Sequence, residues 1–490
     1  MARSYRRSAV VLGAVLLASL TLPAVANAAV TSNPGVPQTR FSGVNRYDTA
    51  AKIATATFPS ADTVVIASGA SFADALAGNY LAGNVGGPIL LTDPNSLSPE
   101  TAAALAALKA RTVLLLGGTG AVSAGVATAI GAMTSTNAAG GKVVVTRISG
   151  ASRYDTDKAV VETPPASYVG SVGGKKTALL ASGVKFPDAL AGGALAFGGA
   201  LPILLTDPAS LSPQAAAAIH DLGIQQVVVL GGPAAVSAAV ESALAALGVT
   251  TTRLAGATRT ATAAAIAAYA GATLGWATGM GQAVNNCPAE ALFANVNVAR
   301  GDDGGGGVDA LALGPHAGTA KAPIMLTTSV DDPSVDLFCL VGESSGDSSA
   351  PGPLAGIDIA GGTGAVSAGN AALLDVASGG GQTGDMTVTP TAATAGTQLT
   401  ATSTDPCPAA PTGALGVLTF FLVPVAGGDY VQVVQSPMSL AGGPFTLKGA
   451  IPAGTAAGQY DSIVVCGTVF AGEDVFYAYA ADIGPVIAVS

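Results

Sequence analysis

Arginine is scarce in this 490-residue chain, yet it recurs in pairs whose members stand six residues apart. The pairs lie in three similar stretches, RFSGVNRYDT at 40–49, RISGASRYDT at 147–156 and RLAGATRTAT at 253–262. These stretches contain six of the eight arginines that follow residue 28. A guanidinium is planar and always charged, and it binds carboxylates and phosphates through paired hydrogen bonds. The spacing therefore indicates either ion pairs that hold the fold together or contacts with anionic groups of a ligand.

Each arginine pair is followed by the same three segments. An Asp-Ala-Leu sequence begins at Asp74, Asp188 and Asp309. Next comes PILLTDP at 88–94 and 202–208, which weakens to PIMLTTS at 323–329. The last segment is a glycine turn, at 117–123, 231–237 and 361–367. Self-similarity at a fixed period is typical of repeat proteins, so we predict three copies of one structural unit.

The apolar pattern inside a copy alternates between strand and helix. Short apolar runs at 63–67, 89–92, 112–116 and 143–148 are typical of buried strands. Helical spacing lies between them, and Ser98 followed by Pro99 marks one helix start. Buried strands separated by helices indicate a parallel sheet covered on both faces. We predict an α/β fold of three tandem parallel-sheet repeats, at 40–146, 147–252 and 253–378.

Loops that follow parallel strands meet at the carboxyl edge of the sheet, where ligands bind in open α/β folds. That edge would carry the Thr-Asp-Pro loop, the glycine turn and the Asp-Ala-Leu loop. The candidate ligand-binding residues are Arg46, Arg153, Arg259, Asp74, Asp188, Asp309, Thr92, Asp93, Thr206, Asp207, Gly117, Gly118, Gly231 and Gly232. The structural alternative is that each arginine pairs with a repeated aspartate, such as Arg46 with Asp74, and locks a helix to a loop or a repeat to its neighbour. We expect each pair to join the repeats and its second arginine to face the ligand.

The chain offers little that predicts catalysis. Gly118 and Gly120 follow a strand, but Ser123 replaces the third glycine of a dinucleotide site and no ribose-binding acid is evident. The two histidines, His220 and His316, stand at unrelated places in their repeats. We predict no enzyme activity, no cofactor and no metal site.

Export is predicted from the first 28 residues. Three arginines precede an apolar run from Ala9 to Leu22, and Ala26-Asn27-Ala28 offers a cleavage site, so residues 1–28 are a predicted signal peptide. Their removal takes the net charge from −10 to −13, because three arginines and no acids are lost. An acidic chain is a poor ligand for nucleic acid, and no later segment predicts a membrane span.

Extracellular cysteines favour disulfides, most simply Cys287–Cys339 and Cys407–Cys466, although four cysteines permit three pairings.

The composition changes after Ser378. A glycine-rich linker is predicted at 379–384, and residues 385–490 alternate Val, Thr and Gly in short strand-like stretches. We predict a small all-β sandwich, immunoglobulin-like, with Cys407–Cys466 as its disulfide.

The repeated motifs closely resemble the cell wall-binding repeat 2 family over about residues 40–378, with a degenerate third copy. The resemblance implies an α/β fold for each repeat and a pseudo-threefold arrangement of the three. It also implies non-covalent attachment to an anionic cell-wall polymer, teichoic-acid-like or a secondary wall polysaccharide. The family's Pro-Ile-Leu-Leu segment, expected near the binding surface, corresponds to Pro88–Leu91 and Pro202–Leu205; the third copy has Met325 for a leucine and Thr328 for the aspartate.

The functional prediction is a secreted protein of the cell wall surface that binds an anionic polymer through its repeats and displays the β-sandwich. Two alternatives stay open. One is an adhesion or matrix protein that acts through the sandwich. The other is a cell-wall hydrolase or its modifier, with catalytic residues in the insertions of the third repeat.

Overall fold

The computed structural model describes a large part of the chain, with gaps. The described residues are 31–33, 36–185, 187–280, 291–301, 308–327, 337, 340–341, 346–347, 350–351, 354–366, 374, 381–407, 414–424, 431–437, 443–470, 476–483 and 487–489. The predicted signal peptide, residues 1–28, lies outside them, as do Cys287 and Cys339.

Three sheets of four parallel strands form the first part of the molecule, as predicted. The first sheet has the strand order Ile89–Thr92, Thr63–Ser68, Thr112–Leu116, Val144–Ile148. The second has the order Ile203–Thr206, Lys175–Ser182, Gln226–Leu230, Thr250–Leu254, with the short strand Ser171–Val172 antiparallel to Lys175–Ser182. The third has the order Ile324–Thr327, Asn295–Arg300, Gly356–Ala360, Gln38–Phe41.

The strand that carries the first arginine of each pair belongs to the sheet of the preceding repeat. The predicted unit limits at 146/147 and 252/253 consequently fall inside the strands Val144–Ile148 and Thr250–Leu254. For the first repeat, the preceding sheet is the third one, because Gln38–Phe41 pairs with Gly356–Ala360 more than 300 residues later. The three repeats are therefore closed into a cycle by the strand at residues 38–41.

Helices flank the sheets, and local capping explains where several of them begin. They span Arg46–Thr57, Ala73–Val85, Pro99–Ala107, Ala124–Ala132, Arg153–Val161, Pro187–Leu190, Gly192–Gly198, Pro213–Leu222, Ala238–Ala246, Arg259–Leu274 and Val308–Ala320. The second arginine of each pair is the first helical residue and follows a capping residue. The caps are Asn45, Ser152 and Thr258, and each side chain accepts backbone N–H bonds of the first turn. This fixes the second arginine at a helix start.

The helices that begin at the Asp-Ala-Leu segments pack against one another at the centre of the cycle, and we call them the axial helices. They are Ala73–Val85, the pair Pro187–Leu190 and Gly192–Gly198, and Val308–Ala320. Asn79, Gly193 and Gly314 hold the same position in the three copies. A Cβ on Gly314 would lie 1.9 Å from Asn79 Oδ1, so one asparagine side chain fills the space that the two glycines leave. One hydrophobic cluster runs through all three repeats, so they share a core.

The C-terminal residues form strands in two sheets. One contains Thr387–Thr389, Gln398–Cys407 and Gly443–Ala450; the other contains Thr31–Asn33, Gly381–Asp385, Ala392–Ala393, Ala414–Pro424, Val431–Pro437, Gly458–Phe470, Phe476–Ile483 and Ile487–Val489. Both sheets contribute side chains to a second hydrophobic cluster. The immunoglobulin-like topology stays a prediction, and so do both disulfides; the backbones of Cys407 and Cys466 lie in strands of different sheets.

The linker predicted at 379–384 is corrected in part by the structure. Gly381–Asp385 is a strand, antiparallel to Thr31–Asn33 on one side and parallel to Phe476–Ile483 on the other. Backbone pairing on both sides overrides the flexibility that its glycines favour. Among the described residues, no helix combines the length and apolarity that crossing a membrane requires.

Candidate ligand-binding site at the repeat junctions

The first arginine of each pair holds the glycine turn of the sheet that its strand completes. Arg147 donates from Nη1 to the carbonyl of Gly117 at 2.6 Å and from Nη2 to that of Ser123 at 3.3 Å. The other two copies repeat this pattern, Arg253 with Gly231 and Val236, and Arg40 with Gly361 and Val366. Arg147 and Arg253 use both terminal nitrogens for these bonds, and Arg40 makes both from Nη1, so the first arginine has a structural role.

The second arginine makes a different contact, at the end of the central strand of its own repeat. Its Nη1 donates to the glycine carbonyl just after that strand: Arg46 to Gly69 at 2.7 Å, Arg153 to Gly183, and Arg259 to Gly301 at 2.6 Å. Arg46 and Arg153 make no further hydrogen bond to the part of the chain that the structure describes. Arg153 is exposed and Arg46 half-buried. Most of their N–H groups can therefore be offered to a ligand.

The repeated aspartate of each copy lies against the glycine turn of the same copy. A Cβ on Gly117 would be 2.4 Å from Asp74 Oδ2, one on Gly231 2.7 Å from Asp188 Oδ2, and one on Gly361 2.6 Å from Asp309 Oδ2. Gly117 has φ +92°, a conformation that disfavours side chains in any case. The close approach of the carboxylate makes glycine necessary for a second reason.

Across each of two junctions, the charge of the second arginine of one repeat affects the pKa of the aspartate of the preceding repeat. Burial raises the pKa of Asp74, and the charge of Arg153 opposes that shift. Burial raises the pKa of Asp309 to about 6, opposed by the charge of Arg46 and by a hydrogen bond with Thr49. In the part of the chain that the structure describes, Arg46 makes no ion pair with Asp74; it donates to Gly69 of its own repeat, and its charge acts on Asp309 of the third repeat. The guanidinium of Arg153 also lies 5.8 Å from the ring centroid of Phe72, in the first repeat.

The Thr-Asp-Pro loops use their polar side chains within the loop. Thr92 is fully buried, and its Oγ1 accepts from Ser98 N at 3.2 Å and donates to the carbonyl of Ser96 at 3.3 Å. Thr206 repeats this arrangement with Ser212 and Ser210. These contacts give the two threonines a role in shaping the loop.

The aspartates of the same loops are half-buried at the surface. The backbone N–H of Asn95 holds the pKa of Asp93 below its usual range, with Ser96 adding two hydrogen bonds. Asp207 Oδ1 accepts from Ala209 N at 2.9 Å. The outer faces of Asp93 and Asp207 stay available to a ligand, so the two aspartates form the rim of the carboxyl edge of their sheets.

The glycine turn and the Thr-Asp-Pro loop are joined directly, as the parallel topology predicts. Ser123 N donates to the carbonyl of Pro94 at 2.7 Å, and Ser237 N to that of Pro208 at 2.8 Å. A Cβ on Gly118 or Gly232 would meet no atom within 4 Å, so this part of each turn is open. Arginine, aspartate, glycine turn and loop thus form one surface at the carboxyl edge of the first sheet and of the second, which we call the junction edge.

Sequence reasoning missed Phe72 and Asp157. Phe72 had a signal, since Phe186 precedes the second Asp-Ala-Leu at nearly the same distance. Asp157 is 2% exposed; its Oδ2 accepts from Leu205 N at 2.8 Å, and its Oδ1 has no partner among the described residues. Burial raises its pKa well above the usual value, with Asp74 adding to the shift. The corresponding residues are Ala50 and Ala263, so this departure from the repeat was the signal for Asp157.

The two histidines have different surroundings. His220 is 88% exposed and lies 3.0 Å from Asp221 Oδ1. His316 Nδ1 is 2.7 Å from Thr57 Oγ1, and its Nε2 is 3.0 Å from Asp358 Oδ2. Thr57 donates its hydroxyl proton to the carbonyl of Ile53, within the helix. No group of side chains suited to a metal ion occurs in the described ranges.

Comparison with known proteins identifies the repeats. The sequence profile of the family described as Cell wall binding domain 2 matches residues 40–127, 147–241 and 253–370, more than half of the chain. The N-acetylmuramoyl-L-alanine amidase LytC of Bacillus subtilis (strain 168) is 33% identical over 192 residues, which are 39% of this chain and 36% of the amidase. The chain thus matches only about a third of that relative's length.

Two solved structures share the fold. Cwp8 from Clostridium difficile superposes with a TM-score of 0.56 at 23% identity, over 70% of this chain and 52% of Cwp8. Cwp6 from the same organism gives a TM-score of 0.57 at 19% identity, over 85% of this chain and 60% of Cwp6. The predicted resemblance to this family is confirmed.

Proposed function

Because this chain belongs to the cell wall binding domain 2 family, we propose that it attaches non-covalently to an anionic polymer of the bacterial cell wall through its junction edges. Arg46 and Arg153, together with Arg259, bind the anionic groups. The first arginines of the pairs keep the glycine turns in place. Asp74, Asp188 and Asp309 set the charge around the binding arginines.

One observation carries the proposal, namely the different use of the two arginines in the first and second pairs. The terminal nitrogens of Arg147 are both bonded to carbonyls of its own sheet. Among the described residues, Arg153 donates only to Gly183; its guanidinium lies over the Phe72 ring, and the residue is exposed. A purely structural pair would use both guanidiniums within the fold. The asymmetry favours a ligand with planar or tetrahedral oxyanions, such as carboxylate or phosphodiester groups.

The class of polymer is inferred from the net charge of the chain. The whole chain is acidic, with a formal net charge of −10, so it has no general attraction for an anionic polymer. Binding must come from local cations held at fixed positions, which the junction edges offer. A teichoic-acid-like polymer or a secondary wall polysaccharide has repeated negative charges that can engage several edges at once, and multivalency strengthens such binding.

The rest of the proposal concerns export and display. Residues 1–28 direct secretion and are removed, and the protein is held at the wall without catalysing a reaction. Residues 385–490 form an immunoglobulin-like sandwich with a Cys407–Cys466 disulfide, and Cys287–Cys339 joins the insertions of the third repeat. The displayed domain carries a separate function.

The decisive test is co-sedimentation of the chain from Ala29 to Ser490 with purified cell walls. One portion of walls is untreated, and the other is stripped by acid of phosphodiester-linked polymers. Binding that disappears on stripping supports the proposal. Binding that survives assigns the ligand to peptidoglycan or another glycan, and absence of binding to both preparations overturns the wall-anchor function.

The arginine assignment is tested with the double variant Arg46→Gln, Arg153→Gln. We expect at least about a tenfold loss of wall affinity, since two charge-assisted contacts are removed, with a thermal midpoint within a few degrees of the parent. The matched control is Arg111→Gln, which removes an exposed arginine at the opposite, amino edge of the first sheet. A fall in stability with unchanged affinity of the folded fraction would assign the second arginines to the structural alternative.

A further inference from the structure

A tyrosine follows the second arginine in the first two repeats, and its ring lies on the glycine that comes just after the central strand. A Cβ on Gly69 would be 2.4 Å from Tyr47 Cε1 and 3.2 Å from Arg46 Cδ. A Cβ on Gly183 would be 2.4 Å from Tyr154 Cε1. Glycine therefore leaves room for the ring at both places, and the tyrosine lies on the same residue to which the second arginine donates.

The same two glycines are bonded to the Thr-Asp-Pro loops. Gly69 N donates to the carbonyl of Thr92 at 2.9 Å, and Asp93 is the next residue of that loop. Gly183 N makes the same contact at 2.8 Å, with the residue before Asp207. Each tyrosine is therefore brought beside a loop aspartate, at the junction edge of its repeat.

The polar atoms of both pairs are available at the surface. Tyr47 and Tyr154 are half-buried and pack against the core, and neither hydroxyl makes a hydrogen bond to the part of the chain that the structure describes. Asp93 uses Oδ1 for its bonds to the backbone and to Ser96, and Asp207 uses Oδ1 for its bond to the backbone. The second carboxylate oxygen, Oδ2, stays open in both loops.

Each pair combines a hydrogen-bond donor with an acceptor at neutral pH. Burial raises the pKa of Tyr47 and Tyr154, and the charges of the neighbouring aspartates add to the shift, so both hydroxyls keep their protons. The backbone N–H of Asn95 holds the pKa of Asp93 below its usual range, so this carboxylate is ionised and only accepts. Neighbouring hydroxyl groups of a ligand can satisfy both members, whereas a phosphate or carboxylate group would be repelled by the aspartate.

The third repeat lacks both members of the pair and keeps the arginine. Its sequence has Thr260 in place of the tyrosine and Thr328 in place of the aspartate. Arg259 still donates to the carbonyl of Gly301 at 2.6 Å, so placing the arginine requires neither of them. The tyrosine and the aspartate stand far apart in the sequence, yet a repeat has both or neither. Their joint presence indicates a shared role at the surface.

We propose that Tyr47 with Asp93, and Tyr154 with Asp207, form two subsites that bind vicinal hydroxyl groups of the wall polymer, beside the anionic group held by the second arginine. This inference rests on the proposed function and names a further part of the same ligand. The ligand hydroxyls donate to the carboxylate and accept from the tyrosine O–H. The chain then selects a polymer whose sugar or polyol units carry neighbouring hydroxyls next to a negative charge, and does not bind every polyanion.

The aspartates give the sharpest test, because charge repulsion and hydroxyl binding predict opposite signs. The double variant Asp93→Asn, Asp207→Asn keeps Oδ1 for the loop and loses the carboxylate charge. Aspartates that only repel a polyanion would give the variant a higher affinity for purified walls. We expect instead about a tenfold loss, since charge-assisted hydrogen bonds are removed. The control Asp62→Asn changes an exposed carboxylate at the amino edge of the first sheet and should bind like the parent. Unchanged or higher affinity of the double variant overturns the inference.

The tyrosines are tested with the double variant Tyr47→Phe, Tyr154→Phe, which removes two hydroxyls and keeps the rings on their glycines. We expect about a fivefold loss of wall affinity, since a lost hydrogen bond costs about a factor of two to ten. The loss should be similar at low and high salt, because the bonded ligand groups are neutral. The thermal midpoint should match the parent, since the hydroxyls are not used by the described part of the fold. Affinity equal to that of the parent contradicts the inference.

The ligand is tested with walls treated with periodate and then reduced with borohydride. Periodate cleaves vicinal diols and leaves phosphodiester charges in place. Brief, dilute treatment consumes open-chain polyols, and prolonged treatment consumes sugar rings as well, so the step at which the affinity of the parent chain falls identifies the source of the hydroxyls. Unchanged affinity after prolonged treatment overturns the inference and leaves the anion-binding function in place. Absence of binding to untreated walls would instead overturn the proposed function.

Discussion

The junction between the first and second repeats and the junction between the third and first differ in how they are made. The chain runs continuously through the first of these, from Val144–Ile148 into Arg153–Val161. The second is closed by the strand Gln38–Phe41, which joins a sheet formed by residues more than 250 positions later. Each junction also carries polar residues where the other copies have apolar ones. The three repeats therefore share one scaffold, while each contact surface is specific to its place in the cycle.

Two sets of polar residues distinguish these junctions from each other. His316 and Asp358 stand where the first repeat has Leu81 and Leu114, and they join the third repeat to Thr57 of the first. Asp157 stands where the other copies have alanine. Buried polar groups stabilise less than apolar ones of the same size, but a mismatched partner leaves them unsatisfied. We infer that they keep the repeats from pairing in the wrong order.

The largest effect should come from removing the closing strand. A chain that starts at Ser42 lacks Phe41, which is 7% exposed, and loses the bonds from Arg40 to the carbonyls of Gly361 and Val366. We expect a loss of about 5 kcal/mol of unfolding free energy from the lost burial and hydrogen bonds. Urea unfolding measures it, and a chain that starts at Val36 is the control. Equal stability of the two chains would contradict closure of the cycle by this strand.

A smaller effect is expected from the histidine pair. His316→Leu leaves Asp358 without its partner, and the two side chains are only 17% and 19% exposed. We expect a loss of about 2 kcal/mol, below the range for fully buried pairs because some solvent remains. Adding Asp358→Leu restores the apolar contacts of the first repeat and should recover most of the loss. A double-mutant cycle by denaturant unfolding checks this, and additive losses would exclude a coupled pair.

At the junction between the first and second repeats, Asp157 should make the free energy of unfolding depend on pH. Burial raises its pKa in the folded state above the unfolded value of 3.8, so the folded state retains the proton longer. Stability contributed by this group is complete below about pH 4 and declines as the pH rises towards the folded pKa. Asp157→Asn keeps an acceptor for Leu205 N but cannot ionise. Thermal unfolding at pH 5 and 7.5 should show the variant gaining stability relative to the parent at the higher pH. A constant difference between the two chains would contradict a protonated Asp157.

Much of the scaffold was predictable because it depends on local patterns. Apolar runs such as Thr112–Leu116 and the proline at helix starts determine strands and helices within a few residues. The strand Gln38–Phe41 was not assigned to the third sheet, because no local signal tells which edge a strand will join. Pairing between distant residues depends on how the whole cycle closes.

The sequence predicts which residues form the candidate site better than it predicts which of them contact one another. The repeated Arg, Asp and Gly residues do meet at one edge, since parallel strands bring their following loops together. Contacts across the junction, such as that of Arg153 with Phe72, follow from the cyclic order and not from spacing along the chain. The sequence predicts Thr92 and Thr206 as ligand-binding residues, yet their burial depends on a loop conformation that the sequence does not specify.

The smallest expected effect comes from a lysine that distinguishes the junction edge of the second repeat from that of the first. At the junction edge of the second repeat, exposed Lys185 stands where the first repeat has Ser71. The backbone N–H of Lys185 donates to Ser182 Oγ at 3.0 Å, just after the central strand. An exposed cation without a fixed partner acts on an anionic polymer through long-range attraction, which salt screens. We therefore expect Lys185→Ser to weaken wall binding about twofold at low salt and to have no effect at high salt. The control is Lys175→Ser, at the amino end of the same strand. Equal losses for both lysines would mean that overall charge, and not position at the junction edge, determines the contribution.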